Sequence, residues 1–164
     1  NNTDFQTPPI VADYMASLIP IWAKTILEPT PGAGNLVAAA HKTERNVISP
    51  PWFVSAKENY RGIKFDCVIM NPPFTPMKQG YWFLQECMSL SDNIIALLPW
   101  FIIINSERRL KQITEFGLVS VTNLPRKTFP NSRIQCCVLE MKRNFRRPTI
   151  LRNFNWNNTK VRAA

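Results

Sequence analysis

The sequence is poor in the residues on which most enzyme chemistry relies. It has one histidine in 164 residues, His41, beside basic residues at the end of a predicted helix. That position suits a surface role, and with no second histidine there is little scope for a Ser/His/Asp arrangement. The four cysteines form no CxxC pair. Cys67 and Cys87 are isolated. Cys136 and Cys137 are adjacent, so on a strand they point to opposite faces and suit neither zinc nor a shared disulfide. A reducing cytosol is the default expectation. No apolar run exceeds Ile94 to Ile104, which is too short to span a bilayer and contains Pro99 and Trp100. The chain begins at Asn1, no signal peptide is legible there, and no internal repeat is evident. What remains is a chain with 45% apolar and 11% aromatic residues, which excludes disorder and predicts one domain with a real core.

Acidic residues are scarce in one half only. Residues 1–100 carry 7 Lys and Arg against 8 Asp and Glu, whereas residues 101–164 carry 13 against 3. Such a bias serves either solubility or a polyanionic partner, nucleic acid being the commonest.

Strand and helix signals alternate. Thr7-Pro8-Pro9 reads as a helix start with Thr7 at the N-cap, followed by Val11, Tyr14, Met15, Leu18 and Ile19 at helical spacing. The run Thr25-Ile26-Leu27 predicts a short strand, residues 35–41 a helix, and residues 45–49 a second strand broken by Pro50-Pro51. Residues 64–70 predict a buried third strand and residues 80–90 a helix with Tyr81, Phe83, Leu84, Cys87 and Met88 inward. "NIIALLPW" predicts a fourth strand. Ser106 can cap a helix that Gly117 ends. "LVSVTNLP" and "IQCCVLEMK" predict two late strands joined by the basic loop 126–133, and the chain beyond Arg143 reads as a tail or edge extension. The alternation implies an α/β fold with a mainly parallel sheet, whose ligands bind beyond the carboxyl ends of the strands.

Two stretches lie at such ends. In "EPTPGAGNL", Gly32 and Gly34 permit a tight turn and close approach of a ligand to the backbone. A third glycine is lacking, so this is no full dinucleotide fingerprint, and no Gly-Lys-Ser/Thr marks a P-loop. Glu28 would repel phosphate and could meet an ammonium group. By itself the stretch fits a ligand loop or an ordinary tight turn. In "FDCVIMNPPFTP", two prolines stop the third strand and make a stiff elbow. Asn71 offers a side-chain carbonyl and Pro72 a backbone carbonyl, two acceptors for the N–H bonds of an exocyclic amine such as adenine N6. Bound in this way the nitrogen turns tetrahedral and frees its lone pair. Phe74 offers a ring on which a base can stack.

These motifs together resemble the S-adenosylmethionine-dependent DNA adenine-N6 methyltransferases, in the order that places cofactor motifs before the catalytic one. "FQTPPIVADYM" is similar to the motif covering the methionine part of the cofactor, "LEPTPGAGNL" to the glycine loop, "NPPF" to the catalytic motif, and "LPRKTFPNSRIQCCVLEM" to the late motif whose aromatic faces the flipped base. The resemblance spans roughly Phe5 to Lys142 and is closest to short bacteriophage and prophage versions. It implies a Rossmann-like methyltransferase fold with a late antiparallel strand, and a cytoplasmic enzyme of a bacterial or phage-infected cell. Asn71, Pro72, Pro73 and Phe74 would be catalytic. Phe5, Thr7, Pro8, Glu28, Pro29, Thr30, Gly32, Gly34, Asn35, Trp52, Phe53 and Asn71 would hold S-adenosylmethionine. The adenine, extruded from the duplex, would lie between Phe74 and Phe129 with Arg126, Lys127 and Arg133 nearby. No metal is implied.

Two departures from the resemblance stand out. No carboxylate follows the second strand for the cofactor ribose; "NVISPPWF" offers only Ser49 there. Glu28 to Asn71 is short, implying a lost strand–helix unit, with Trp52 and Phe53 either flanking the cofactor adenine or simply packed. Residues 1–143 are expected to form the catalytic domain and 144–164 a basic extension, with no separate target-recognition domain. That arrangement predicts relaxed specificity or a partner subunit that reads sequence. Competing readings are an RNA adenine methyltransferase, a methyltransferase for a protein glutamine amide, and a degenerate module that binds without turnover.

Overall fold

The structure, a computed structural model, describes residues 5–74 and 77–157; residues 158–164 of the expected basic extension lie outside the described part. Seven strands form one sheet: Thr25–Leu27 (β1), Asn46–Ile48 (β2), Cys67–Met70 (β3), Asn93–Pro99 (β4), Leu118–Asn123 (β5), Cys136–Lys142 (β6) and Ile150–Asn153 (β7), in the order β2-β1-β3-β4-β6-β5-β7. β6 runs antiparallel to its neighbours β4 and β5, and every other pairing is parallel. The carboxyl ends of all strands except β6 therefore lie along one edge of the sheet.

Among the described residues six α-helices accompany the sheet: Pro9–Ser17 (α1), Asn35–His41 (α2), Ala56–Asn59 (α3), Met77–Met88 (α4), Trp100–Ile104 (α5) and Glu107–Phe116 (α6). The connection from β1 to β2 steps one way across the sheet and that from β3 to β4 steps the other. Right-handed crossovers then set α2 and α4 on opposite faces. All residues of β3 and β4 are buried, as their unbroken apolar runs require between two helical layers. Each fully buried large side chain there, such as Ile69 or Leu97, contributes about 1.5–3 kcal/mol relative to exposure. The middle is short as expected: a single four-residue helix, α3, separates β2 from β3.

Residues 144–157 add an edge strand to the sheet rather than a tail. β7 pairs with β5, and Arg152 lies 3.7 Å from the Glu140 carboxylate, which also accepts a hydrogen bond from Ser120 Oγ at 2.7 Å. Phe154 meets the Tyr14 ring of α1 at 5.2 Å, and the Tyr14 hydroxyl bonds Thr122 Oγ1 across the sheet. Two expectations need correcting. The fourth strand ends at Pro99, whose extended backbone caps α5, so Trp100 is helical; within one apolar run no periodicity marked that change. Thr7 is also not the N-cap of α1. Pro8 holds that place and Pro9 opens the helix, leaving the Thr7 hydroxyl for another partner.

Ser106 and Gly117 behave as read: Ser106 Oγ accepts from Arg109 N and Gly117 ends α6. Gly117 has φ +134°, and a Cβ there would sit 2.0 Å from the Lys142 carbonyl oxygen, to whose own N–H Gly117 O is bonded. Neither backbone can retreat without breaking the β6 end. Gly117→Ala is expected to cost more than about 3 kcal/mol, beyond ordinary overpacking, as read by a lower urea midpoint at unchanged slope.

Candidate functional site

β1 and β3 are neighbours whose chains depart to opposite faces, so the loops after them diverge and leave a cleft at the sheet edge. A cavity of about 750 Å³ occupies it. Glu28, Pro29, Thr30 and Gly32 line it from the loop after β1, and Asn71, Pro72, Pro73 and Phe74 from the loop after β3. Trp52 and Phe53 approach from the end of β2, Asn35 from the start of α2, and Phe5 and Thr7 from the segment before α1. Pro8 and Gly34 do not line it; Gly34 is the N-cap of α2.

The segment Phe5-Gln6-Thr7 is a strap sewn across the strand ends. Gln6 Oε1 accepts from Ala33 N (2.8 Å), and Asn35 Nδ2 donates to Thr7 O (2.7 Å). Gly32, at φ +51°, is the close approach in this seam, because a Cβ there would lie 2.8 Å from Gln6 Oε1. On the other side, Asn71 Nδ2 donates to Phe5 O at 2.8 Å and to Thr7 Oγ1 at 2.9 Å. Two acceptors on one side dictate the amide's orientation, since a flip would set Oδ1 against the Phe5 carbonyl oxygen. Oδ1 therefore faces away from the strap, and it takes no hydrogen bond among the described residues. The Thr7 hydroxyl thus serves the Asn71 amide in place of the helix start.

Glu28 is fully buried. Its Oε1 accepts from the Thr30 N–H and from Thr30 Oγ1 (2.8 Å), while Oε2 is buried without a partner. Burial raises the carboxyl to about 8, with the Thr30 bonds offsetting part of the effect. Thr30 Oγ1 also accepts from Asn71 N at 3.2 Å, so the two loops share one hydroxyl. Oε2, which carries the proton while the carboxyl is neutral, becomes on ionisation a buried acceptor at the wall of a cavity and then fits a cationic group of a ligand.

The rings are arranged differently from expectation. Phe5 lies between the other two, 4.6 Å from Phe74 with planes at 76° and 5.6 Å from Phe129. Phe129 is buried behind Phe5 and does not line the cavity, so Phe74 and Phe129 do not form an open slot. The signal for Phe5 was its place two residues before Thr7, and only the strap's path puts its ring here. Phe53 packs among Tyr60, Trp82 and Phe83, so it serves both cavity and core, whereas Trp52 is 71% exposed at the mouth. Ser49 does not line the cavity, and its hydroxyl is bonded to Glu28 O at 2.9 Å.

Gly80 was missed by sequence reading. A Cβ on it would stand 3.1 Å from Pro73 O and 3.2 Å from Phe74 Cβ, so a side chain there would push the Asn-Pro-Pro-Phe loop back from α4 by a few tenths of an ångström. Gln79 and Phe83 of α4 and Leu36 of α2 also line the cavity.

The loop 126–133 comes after β5 and so lies along the same sheet edge. Arg126, Lys127 and Arg133 are exposed there and do not line the cavity; Lys127 sits over the Trp156 ring at 5.3 Å. The basic surplus is not one surface. Arg143 is at the opposite edge, bonded to Asp92 at 2.6 Å and set over the Phe116 ring, and Arg152 is engaged with Glu140.

No protein-family model matches the chain, and no curated protein matches it. Solved structures do match. The type I restriction-modification methyltransferase subunit from Streptococcus thermophilus aligns with TM-score 0.67 and 18% identity, covering 86% of this chain and 45% of that one. The M protein of the type I restriction enzyme EcoKI aligns with TM-score 0.70 and 12% identity, over 85% and 44%. A putative class I S-adenosylmethionine-dependent methyltransferase from Listeria monocytogenes aligns with TM-score 0.68 and 14% identity, over 97% and 69%. The chain has a Rossmann-like methyltransferase fold. It spans under half the length of the two type I subunits. Among the described residues no helix is long and apolar enough to cross a membrane, and no group of His, Cys, Asp and Glu could hold a metal.

The raised carboxyl of Glu28 also bears on stability. The folded state holds its proton to about pH 8, while the unfolded chain releases it near 4.5. This contribution is full below pH 4.5 and falls as pH rises toward 8, by up to about 1.4 kcal/mol per pH unit. Asp66 and Asp92 are held low and titrate below that window. Urea midpoints should fall between pH 5 and 8 for the native chain, and Glu28→Gln should remove that part of the slope.

Proposed function

We propose that the chain transfers a methyl group from S-adenosylmethionine to the N6 amino group of adenine in DNA. The observation that carries the reading is the Asn71 amide, held by its nitrogen to the strap with Oδ1 left over at the cavity that Asn71 lines. Its likeness in fold to methyltransferase subunits of restriction-modification systems supports both the transfer and the DNA substrate.

The cavity fits the cofactor on its own terms. Its 750 Å³ suffices for a molecule of that size, and Glu28 Oε2 is a buried acceptor in want of a donor. Glu28 would take the ammonium of the methionine part, giving up its proton as the cation arrives. Backbone groups of the 30–34 loop would meet the rest of that part, and Trp52 and Phe53 would flank the adenine ring. S-adenosylmethionine supplies an electrophilic methyl group. The ribose hydroxyls lack the expected carboxylate, and Ser49 cannot replace it while bonded to Glu28 O.

The protein's own part is orientation. Asn71 Oδ1 and the Pro72 carbonyl accept the two N–H bonds of N6, so the nitrogen turns pyramidal and its lone pair points outward. The two prolines hold these acceptors before substrate arrives, Gly80 lets α4 buttress them, and Thr30 ties the backbone of Asn71 to the cofactor loop. The base packs against the aromatic wall of Phe5 and Phe74, with Phe129 behind Phe5. N6 gains the methyl group and gives up one proton. The type I neighbours are themselves subunits of larger enzymes, which supports a partner subunit for sequence choice, with relaxed specificity as the other reading.

The test is to incubate the protein with labelled S-adenosylmethionine and unmethylated duplex DNA, then identify the modified base by mass; transfer to structured RNA in its place would overturn the choice of substrate. Asn71→Ala should lower kcat by about 10²–10³-fold. Thr7→Val, which removes one acceptor from the amide nitrogen, should lower kcat about tenfold with little change in cofactor Kd, and Thr7→Ser should restore it.

A further inference from the structure

A second groove lies across α4 from the cavity. Its volume is about 390 Å³, and it is lined by Tyr81, Trp82 and Gln85 of α4 with Ser106, Arg108 and Arg109 at the start of α6. Trp82 is 37% exposed, unusual for so large an apolar ring on a helix that also carries core residues. Its inner side packs on Phe53 at 5.9 Å and Phe83 at 5.1 Å, both of which line the first cavity. The groove and the cavity are thus separated by the width of one helix, about 10 Å.

The two arginines have no carboxylate partner among the described residues. Arg109 lies over the Tyr81 ring at 5.0 Å, which fixes its guanidinium beside the groove, while Arg108 is exposed. Glu107, the nearest carboxylate in sequence, does not line the groove. Tyr81 cannot turn away, because its hydroxyl is hydrogen-bonded to Gln112 of α6. The half-exposed Trp82 ring beside two uncompensated guanidinium groups is the arrangement that binds a nucleic-acid strand, with stacking for a base and forked donors for phosphates.

The geometry points to this groove as a second nucleic-acid contact: a base of the strand stacks on Trp82 while its flanking phosphates bind Arg108 and Arg109. It rests on the proposed function only for the kind of ligand. Because α4 also presses on the Asn71–Phe74 loop, a strand held here is anchored on the same helix that positions the acceptors. Neither the basic loop 126–133 nor the cavity supplies this contact.

The test titrates the full chain, without cofactor, into a fluorescein-labelled single-stranded DNA of 12 nucleotides, at several salt concentrations. Trp82→Leu keeps the packing on Phe53 and Phe83 but removes the wide ring face; it should weaken binding about fivefold or more with the salt slope unchanged. Arg108→Gln, at an exposed position, should reduce the slope of log K against log salt by about 0.7. Thermal melts of both variants check that they fold. Binding by both variants equal to that of the native chain overturns the proposal, as does absence of binding by the native chain or equal competition by poly-glutamate. Methyl transfer measured in parallel keeps the two readings apart: transfer with groove variants that bind like the native chain sinks the groove alone, whereas groove binding without transfer sinks the enzymatic reading alone.

Discussion

The arrangement at the sheet edge depends on one pair of hydrogen bonds. The nitrogen of the Asn71 amide is held by the Phe5 carbonyl and the Thr7 hydroxyl, and that alone decides which way its oxygen faces. An amide free to rotate would present donor and acceptor to the cavity by turns. Held from behind, it presents an acceptor. On the proposed reading this is the difference between gripping an amino group and repelling it, because N6 of adenine brings two donors and no accessible acceptor.

The strap that holds Asn71 also closes the loop after β1. Gln6 reaches Ala33, Asn35 reaches Thr7, and Thr30 joins the Glu28 carboxyl to the Asn71 backbone. The two loops therefore form one hydrogen-bonded unit, and a ligand that engages Glu28 acts on the backbone carrying Asn71. Two acceptors of this network, Glu28 Oε2 and Asn71 Oδ1, have no partner among the described residues, and both belong to residues that line the cavity. Burial raises the carboxyl to about 8, so it holds its proton at neutral pH, and on the proposed reading a cationic partner would displace that proton.

Much of this was legible one residue at a time. Proline pairs at 50–51 and 72–73 marked strand ends because they cannot join a ladder, and Ser106 and Gly117 marked a helix because capping is local. Where the competition was not local, reading failed. Thr7 has the side chain of an N-cap, but the pull of Asn71, 64 residues away, outweighs that role. Phe129 was expected to face the cavity, yet it is buried and Phe5 lines the cavity instead. The basic surplus is concentrated in the C-terminal half of the sequence, yet Arg143 and Arg152 are drawn into pairs with Asp92 and Glu140.

The order of residues was enough for the alternation of strands and helices, the shortened middle, and the presence of a polar loop and a rigid Asn-Pro-Pro-Phe elbow at two strand ends. These come from backbone geometry and from the period of apolar residues, which act over a few positions. Folding in three dimensions was needed to make the two loops face each other, to let the strap hold the amide, to bring Gly80 close against the Pro73–Phe74 backbone, and to stand Phe5 among the rings. Those outcomes depend on contacts between distant segments, where hydrogen-bond satisfaction and excluded volume choose among placements that local propensity leaves equal.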